Sequence, residues 1–255
     1  MFTYPLGGKA HIFINGHDLS EFQAKLESDY AISGCEIENH LNQGPSHSSV
    51  LLLRQNIGTL SIRLPLNFYA ESKAETMAHM ARLNALCQGT VELNLSDGFS
   101  YTCVLAEIGE TAWLGDCFCA VDYTFSGIRH GAPVTLEGDA PMRLENAATF
   151  PKCDCVITVK NFKLISSTPV VLSISDEETA FLSWKIDTSG GLYHAGGALI
   201  LDGMEKRNRY RGGNIPTGTM SFTDYPYLKP GKNTISIGGG LTSAELRLDY
   251  VPAYV

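Results

Sequence analysis

Four cysteines stand in two pairs whose residue type and spacing could bind a metal. Cys117 and Cys119 form one pair, and Cys153 and Cys155 form the other. Four thiolates suit zinc, but the cysteines of structural zinc sites are usually separated by two to four residues on tight turns. A single intervening residue instead places both side chains on one face of a β-strand. We therefore interpret all four as buried thiols that pack like small apolar residues, and we expect neither a metal nor another cofactor.

The segment Pro230-Gly231-Lys232-Asn233 is similar to the end of a phosphate-binding loop but departs from that motif. Pro226 occupies the position of the first glycine, and Asn233 replaces the hydroxyl residue that should follow the lysine. The residues beyond it alternate like a strand, whereas a phosphate-binding loop leads into a helix. The segment is therefore not predicted to bind a nucleotide.

No catalytic arrangement stands out in the sequence. The seven histidines lack the helical spacing of a metalloprotease, and no Gly-x-Ser-x-Gly turn occurs. Asp176, Glu177 and Glu178 could supply a carboxylate pair for glycoside hydrolysis if they faced a groove. Between two apolar runs the same residues are also typical of a polar β-turn. We predict that the chain is not an enzyme.

A stretch rich in turn residues near the C-terminus predicts a corner between strands. Pro226 ends any strand that reaches it, because proline cannot donate to the ladder, and Leu228 can then enter a core. Pro230 and Gly231 suit the two central positions of a type II turn, the second of which needs a positive φ. A strand is expected to resume at Asn233, since the residues after it alternate between apolar and polar.

One helix is predicted in the whole chain, at about residues 73–88. Ser72 followed by Glu75 has the spacing of a capping box, and Gly89 ends the pattern. The predicted apolar stripe of this helix comprises Met77, Met80, Leu83 and Cys87. Such a stripe is typical of a packing face, so we expect the helix to cover a sheet.

Hairpins and alternating strands surround this helix. Residues 10–19 predict a hairpin around Asn15-Gly16, and residues 91–105 predict another with an Asp97-Gly98 turn. Residues 59–66 alternate between apolar and polar, as a half-buried strand does. The first half of the chain is therefore expected to be mainly β.

The second half is a series of short alternating strands with turn residues between them and no helix. Apolar side chains recur at every second position around residues 153–159, 170–174, 182–186, 199–201, 235–237 and 246–250. Residues 127–138 contain Gly and Pro without a clear period, so we place the domains at 1–135 and 136–255. The predicted fold class is mainly β: an N-terminal β-barrel or sandwich-like domain with one helix, then an antiparallel β-sandwich of the jelly-roll type.

Negative charge is concentrated in the first half. Residues 1–130 contain seven Lys and Arg against 14 Asp and Glu, a net charge of −7, whereas residues 131–255 contain 12 against 13, a net charge of −1. This balance disfavours a surface that binds nucleic acid, which needs clustered cations. The basic run at residues 206–211 is interpreted as the solvated face of a surface hairpin.

Membrane insertion and export are not predicted. No run of about 18 apolar residues occurs, and the N-terminus lacks the layout of a signal peptide. An odd number of cysteines, seven, favours reduced thiols over a disulfide framework. We expect synthesis and retention in the cytosol.

Three segments together resemble the C-terminal domain of siphophage distal tail proteins. They are residues 199–203, residues 224–235 and a closing strand that ends at residues 250–254. The first half is similar to that family in layout, with an opening hairpin, a long polar loop, one helix and a final hairpin. The residues that carry the resemblance are Asp202, Gly203, Asp224, Pro226, Leu228, Pro230, Gly231 and Asn233.

The resemblance implies a structural virion protein at the phage tail tip, made in the cytoplasm of the bacterial host. Members of that family form a homohexameric ring through their N-terminal domains, which joins the tail tube to the baseplate and lets DNA pass. The C-terminal domain is implied to be galectin-like and to project outward. The implied partners are further copies of the chain, the tail tube protein, a tail-associated hub protein and baseplate or receptor-binding proteins, with no specific nucleic-acid binding and no membrane.

The acidic first half acquires a role if such a ring forms. Six copies would surround a channel with about forty negative charges, and repulsion would keep DNA from adhering to the wall. The candidate channel-lining residues are Glu36, Glu38, Glu107, Glu110, Asp116 and Asp122. The alternative is that this acid lies on the outer surface and favours solubility.

A carbohydrate-binding β-sandwich protein is the alternative function. Sugar platforms use exposed aromatic side chains, and the chain has only two tryptophans, Trp113 and Trp184. Trp184 shares the apolar parity of its strand, so a platform would have to come from tyrosines. The candidates are Tyr193, Tyr210, Tyr225 and Tyr227.

Overall fold

The computed structural model describes residues 11–35, 37–42, 51–164, 169–177, 179–187, 197–210, 213–215 and 218–254. The chain divides into two compact units, Met1–Gly131 and Ala132–Tyr254. Both units are built from antiparallel strands, and the first also carries an α-helix. The prediction of a mainly β chain with antiparallel sandwich packing is confirmed.

The first unit wraps a curled sheet around a helix. Its elements are β1 (Phe13–Ile14), β2 (His17–Asp18), a 3₁₀ helix (Leu19–Phe22), β3 (Ala24–Leu26), β4 (Ala31–Ser33), β5 (Ile37–Asn42), β6 (Leu51–Ile57), β7 (Leu60–Tyr69), α1 (Lys73–Leu86), β8 (Thr90–Asn94), β9 (Ser100–Ile108), β10 (Ala112–Trp113) and β11 (Phe118–His130). The sheet order is β2-β1-β8-β9-β11-β7-β3, with β4 also paired to β7 and β10 to β11, while β5 and β6 form a separate two-stranded sheet.

The core of this unit lies on one face of the sheet. Ile62, Leu64 and Phe68 of β7 and Tyr123 and Phe125 of β11 are fully buried there. These strands run antiparallel over ten residue pairs, and their apolar side chains occupy alternate positions as the sequence predicted.

The helix lies where the capping signal predicted, but its buried face differs from the predicted stripe. It spans Lys73–Leu86 and begins after Ser72, whose hydroxyl accepts a hydrogen bond from the Glu75 N–H at 3.3 Å. Leu83 and Cys87 are buried, whereas Met77 is 56% exposed, so its assignment to the packing face was wrong. Thr76 takes that place because its hydroxyl contacts the carbonyl oxygens of Ser72 and Cys117 at 3.0 and 2.9 Å.

The hairpin between β8 and β9 has a longer connection than predicted. Asn94 pairs with Ser100, so five residues lie between the strands instead of a two-residue Asp-Gly turn. The Asp97 carboxylate organises this loop by accepting hydrogen bonds from the Phe99 N–H at 3.0 Å and from the Tyr101 hydroxyl at 2.5 Å. A side chain, and not only positive φ at Gly98, therefore shapes the turn.

The region expected to lack a strand pattern, residues 127–138, consists largely of strands. β11 continues to His130, and β12 begins at Val134 as an edge strand paired to β23. The side chains of β12 are half-buried or exposed, which explains why its alternation is weak.

The second unit is a sandwich of two antiparallel sheets. Its strands are β12 (Val134–Asp139), β13 (Met142–Asn146), β14 (Cys153–Leu164), β15 (Val170–Ser175), β16 (Ala180–Ile186), β17 (Leu199–Asp202), β18 (Arg207–Tyr210), β19 (Gly213–Asn214), β20 (Met220–Phe222), β21 (Tyr227–Leu228), β22 (Gly231–Gly239), β23 (Leu241–Tyr250) and β24 (Ala253–Tyr254). One sheet has the order β12-β23-β14-β17-β18-β19 with β21 on β14, and the other has the order β13-β22-β15-β16-β20.

The two sheets bury a single apolar cluster. Cys155 and Ile157 come from one sheet, and Leu172, Trp184 and Ile235 come from the other. All five are at most 1% exposed, so the alternation predicted for these strands is confirmed.

Candidate functional site

The residues that carry the family resemblance meet at one corner of the second unit. Gly203 lies there beside two backbone carbonyl groups. Its N–H donates to the Cys155 oxygen at 2.9 Å, and the Cys155 N–H donates to the Pro226 oxygen at 3.2 Å. A Cβ at Gly203 would lie 2.8 Å from the Cys155 oxygen and closer still to that of Pro226. Only glycine fits, because a side chain would separate β14 from the segment that contains Pro226.

Asp202 precedes this glycine and is 4% exposed. Its carboxylate accepts a hydrogen bond from the Glu205 N–H at 2.8 Å and from the Arg209 guanidinium at 3.0 Å. Arg209 also contacts the Glu205 carboxylate at 3.0 Å. Asp202 therefore closes the turn between β17 and β18. Its buried negative charge is paired with the Arg209 guanidinium, since burying an unpaired carboxylate is costly.

The Pro230-Gly231 turn has the positive φ that the sequence predicted, with Gly231 at +80°. The strand begins at Gly231 and not at Asn233, because the turn itself pairs with β13. Asn233 is 1% exposed, and its side chain spans the turn. It accepts from the Lys229 N–H at 3.1 Å and donates to the Lys229 oxygen at 2.8 Å. The sequence does not indicate this role, because its alternation predicts only that a strand resumes at Asn233.

The remaining motif residues anchor the same corner. Leu228 is fully buried and pairs with Cys153. Asp224 accepts a hydrogen bond from the Tyr225 N–H at 2.8 Å and contacts the Lys152 ammonium at 3.3 Å. The backbone hydrogen bond, followed by the hydrogen bond and charge of Lys152, lowers the pKa of Asp224.

The corner is a structural device by its chemistry. Its carboxylates, Asp202 and Asp224, are paired with the cations Arg209 and Lys152. The acidic turn nearby is similar: Asp176 contacts Lys229 at 2.7 Å and Glu177 contacts Lys232 at 2.6 Å. Glu178 lies outside the described residues. Paired, partly exposed carboxylates of this kind favour the polar-turn interpretation over a hydrolase site.

Three of the four paired cysteines, Cys119, Cys153 and Cys155, lie on strands and are buried as predicted. The prediction was wrong for Cys117, which lies in the connection just before β11 and is half-buried. Burial raises the pKa of Cys153 to about 11, and burial also raises the pKa of Cys155 well above its usual value. Burial likewise raises the pKa of Cys119. These thiols stay protonated at neutral pH, which makes them poor metal ligands and poor nucleophiles. Within the described ranges no group of three or more His, Cys, Asp or Glu side chains is arranged to hold a metal.

Most of the described aromatic side chains considered as a sugar platform are buried or are covered by another side chain. Trp184 is fully buried, and the Lys152 ammonium covers the Tyr227 ring at 4.5 Å. Phe222, which is 42% exposed, packs against Tyr225 at a centroid distance of 5.3 Å. Tyr193 lies outside the described residues, and Tyr210 is half-buried beside β17.

The basic run near residue 206 forms β18 and the turn before it. Lys206 contacts Asp154 at 2.8 Å, and Arg207 pairs with Glu205. Arg211 lies outside the described residues. These cations are paired on a surface hairpin and do not form a patch for phosphate groups.

The candidate channel residues occupy exposed positions in the first unit. Glu107 lies on β9, while Glu110 and Asp116 lie in the connections around β10, and all three are exposed. Glu38 on β5 is exposed and accepts a hydrogen bond from Asn56 at 3.0 Å. Asp122 pairs with Arg63. Glu36 lies outside the described residues.

Among the described residues of the first unit, four cations lie over aromatic rings that are distant along the chain, which the sequence did not indicate. One is Arg129, over the Phe99 ring at 4.9 Å, and the other three are Lys25, Lys73 and Arg82. Lys25 lies over the Tyr69 ring at 5.2 Å, and Lys73 over the Trp113 ring at 4.5 Å. Arg82 lies over the buried Phe22 ring at 5.5 Å. Among the described residues none of the three cations forms an ion pair.

No helix within the described part of the chain is long and apolar enough to cross a membrane.

The fold is similar to those of solved phage proteins. The SPP1 Dit protein, described as a paradigm of the hub adsorption apparatus in phages that infect Gram-positive bacteria, matches with a TM-score of 0.66 and 14% identity, over 96% of this chain and 99% of that chain. Two structures of the phage p2 baseplate in its activated conformation also match. The one with calcium has a TM-score of 0.44 and 11% identity over 91% of this chain and 92% of that chain, and the one with strontium has 0.47 and 12% over 95% and 98%. No family model matches the sequence, and no curated protein matches it. The chain thus shares its fold, over nearly its whole length, with a phage hub protein.

Proposed function

We propose that this protein is a structural component of a siphophage tail tip, a distal tail protein that connects the tail tube to the baseplate. The observation that carries the proposal is the fold similarity to SPP1 Dit, which extends over both units and covers 99% of that protein. The cluster around Gly203 and Asp202 supports it, because its hydrogen bonds join strand segments, as a structural role requires.

The ring proposed for this function is a homohexamer formed by the first unit. The β5–β6 hairpin supports a self-association role, since it pairs with no other described strand and exposes Ile37 by 52% and Leu41 by 57%. Exposed apolar side chains on a free strand pair are typical of a surface that another chain covers. The second unit, proposed to be galectin-like, would project outward as a docking platform.

The proposed ring would enclose a channel through which DNA passes. The excess of 14 acidic over seven basic residues in residues 1–130 would repel a polyanion in the channel. The proposed neighbours are the tail tube protein on one side and hub, baseplate or receptor-binding proteins on the other. The proposed location is the virion, after synthesis in the host cytoplasm.

Electron microscopy of the purified full chain in negative stain tests this proposal. We expect rings with a central hole, and light scattering should give a mass close to six copies of the 27.7 kDa chain. A monomer at all accessible concentrations would contradict the proposal. A glycan array on the same sample tests the sugar-binding alternative, for which the buried Trp184 and the covered Tyr227 predict no signal.

A further inference from the structure

Asn15, in the turn between β1 and β2, contacts two elements outside that hairpin. Its backbone lies in the left-handed region, with φ at +50°, and its N–H donates to the Glu92 oxygen at 2.8 Å. Both ends of its side-chain amide are bound. The oxygen accepts from the Glu92 N–H at 2.8 Å, and Nδ2 donates to the Leu86 oxygen at 3.1 Å. One side chain therefore ties the hairpin to β8 and to the last residue of α1.

The contact with Leu86 requires an amide at position 15. The last carbonyl groups of a helix have no partner within the helix, so the Leu86 oxygen needs a donor from elsewhere. This end of a helix also carries partial negative charge. The neutral Nδ2 of Asn15 supplies the donor, whereas a carboxylate at the same place has no proton to donate and adds a negative charge beside the carbonyl oxygen.

The residue after Asn15 makes this amide chemically labile. Asn15 and Gly16 form the one Asn-Gly pair in the sequence, and glycine has no Cβ to hinder attack by its own nitrogen. That nitrogen gives its proton to a base in solution and bonds to the Asn15 Cγ, while the Cγ–Nδ2 bond breaks and ammonia leaves. Water then opens the cyclic imide at either of its carbonyl carbons, which leaves aspartate or isoaspartate at position 15.

The docked hairpin opposes this reaction. Ring closure requires the Asn15 side chain to fold back over the Gly16 nitrogen, so the amide must first leave its partners on β8 and α1. Those partners belong to other elements, and the amide is therefore released only when the turn opens locally. The rate of the reaction is then limited by how often this turn opens.

We propose that Asn15 is a deamidation site that the docked hairpin suppresses, and that deamidation prevents the hairpin from docking again. The product lacks the donor for Leu86 and carries a negative charge at the helix C-terminus. Isoaspartate also lengthens the main chain within a two-residue turn, since Ile14 pairs with His17. Chemical ageing of the first unit therefore begins at this turn. The inference goes beyond the proposed tail-tip role and does not depend on ring formation.

Peptide mass mapping of the full wild-type chain tests the site and its protection. Samples are incubated at mildly alkaline pH, one folded and one unfolded in guanidinium chloride, and the deamidated fraction at position 15 is followed over time. Asn94, which precedes a leucine, is the internal control. We expect Asn15 to react well ahead of Asn94 in the unfolded chain, and at least about tenfold more slowly in the folded chain. Equal rates in the two samples, or no reaction at Asn15 in the unfolded chain, would overturn the proposal.

Two variants of the full chain test the effect of the product. Asn15→Asp reproduces one product, and Asn94→Asp is the matched control on β8, because Asn94 accepts the Ser96 N–H at 2.9 Å through an oxygen that aspartate retains. We expect Asn15→Asp to melt at least about 2 °C below the wild type and Asn94→Asp to melt with it. An Asn15→Asp melting temperature equal to that of the wild type or of the control would show that the product still docks, which overturns the second part of the proposal. If Asn15→Asp does not fold, the loss of docking is supported, and the rates in the wild-type chain still decide the first part.

Discussion

At the scale of single residues, glycines set the backbone geometry of the second unit's corner, each for a different reason. Gly203 is required by close approach, because the carbonyl oxygens of Cys155 and Pro226 occupy the space where a Cβ would lie. Gly231 is required by its φ of +80°, while the space around it is open. Asn233 completes the turn by bonding to both backbone groups of Lys229.

Replacing Gly203 by Ala should destabilise the protein by roughly 3 kcal/mol, because the new methyl group forces apart backbone segments that have no flexible side chain to yield. Urea or thermal unfolding measures the change. Gly138→Ala is the matched control, since its Cβ would meet only the Met142 side chain at an ordinary 3.8 Å. Equal stability of the two variants would contradict the close approach at Gly203.

Replacing Gly231 by Val should lower stability by about 1–3 kcal/mol, since a β-branched residue is strained at positive φ. Gly231→Asn should lower it less, because asparagine tolerates this region best among residues with a side chain. Thermal melts of the two variants provide the comparison, and identical melting temperatures would mean that strain does not govern this turn.

At the scale of elements, the helix shows how a polar residue can displace an apolar one from a packing face. Thr76 is fully buried, and its hydroxyl lies within hydrogen-bond distance of the Ser72 and Cys117 carbonyl oxygens, which ties the first turn of α1 to the connection just before β11. The Ala70 N–H also donates to the Cys117 oxygen, at 3.2 Å. The helix is therefore docked by hydrogen bonds at its start and by apolar packing of Leu83 further along.

Thr76→Val should cost about 1 kcal/mol, the usual loss for one buried hydrogen bond when shape is kept. Met77→Ala should change the free energy of unfolding by no more than about 0.5 kcal/mol, because the Met77 side chain is largely in solvent. The denaturant midpoints of both variants, compared with that of the wild type, measure these changes. If Met77 belonged to the packing face, as the apolar stripe predicts, Met77→Ala would instead destabilise the protein more than Thr76→Val.

The 3₁₀ helix after β2 should make stability depend on pH. The Ser20 N–H donates to Asp18 at 2.8 Å, and His17 contacts Glu21 at 3.0 Å. These hydrogen bonds lower the pKa of both carboxyls below their usual values. A lowered pKa means that the stabilisation is complete above the unfolded-state pKa and is lost as the pH falls through the folded one.

Asp18→Asn should therefore flatten the fall in melting temperature between about pH 5 and pH 3, since asparagine also caps a helix but does not titrate. Asp116→Asn, in an exposed loop with no described hydrogen bond, should leave the profile unchanged. If melting temperature falls with pH at the same slope in the wild type and the Asp18 variant, the Asp18 carboxyl is not the cause of the pH dependence.

At the scale of the whole molecule, uneven charge is the property most directly linked to the proposed function. The proposed ring should show no measurable affinity for double-stranded DNA even at low salt, where screening is weakest. Fluorescence anisotropy with a labelled duplex and the full-length ring measures this. Binding at low salt would mean that the acid of the first unit does not face the DNA.

Residue type and spacing along the chain are enough to predict the alternation of the strands, the helix start at Ser72 and the positive φ at Gly231. These features depend on neighbours along the chain, so spacing and residue type are enough to predict them. The same holds for the buried strand cysteines Cys153 and Cys155.

Only the tertiary structure decided which residues meet across distant segments. Gly203 needs glycine because Pro226 returns to it, and Thr76 replaces Met77 because Cys117 presents a carbonyl group to it. Lys25 is held over Tyr69, and the register of β8 and β9 lengthens the Asp97 loop. Such contacts depend on how the sheets fold over one another, and no local period records that arrangement.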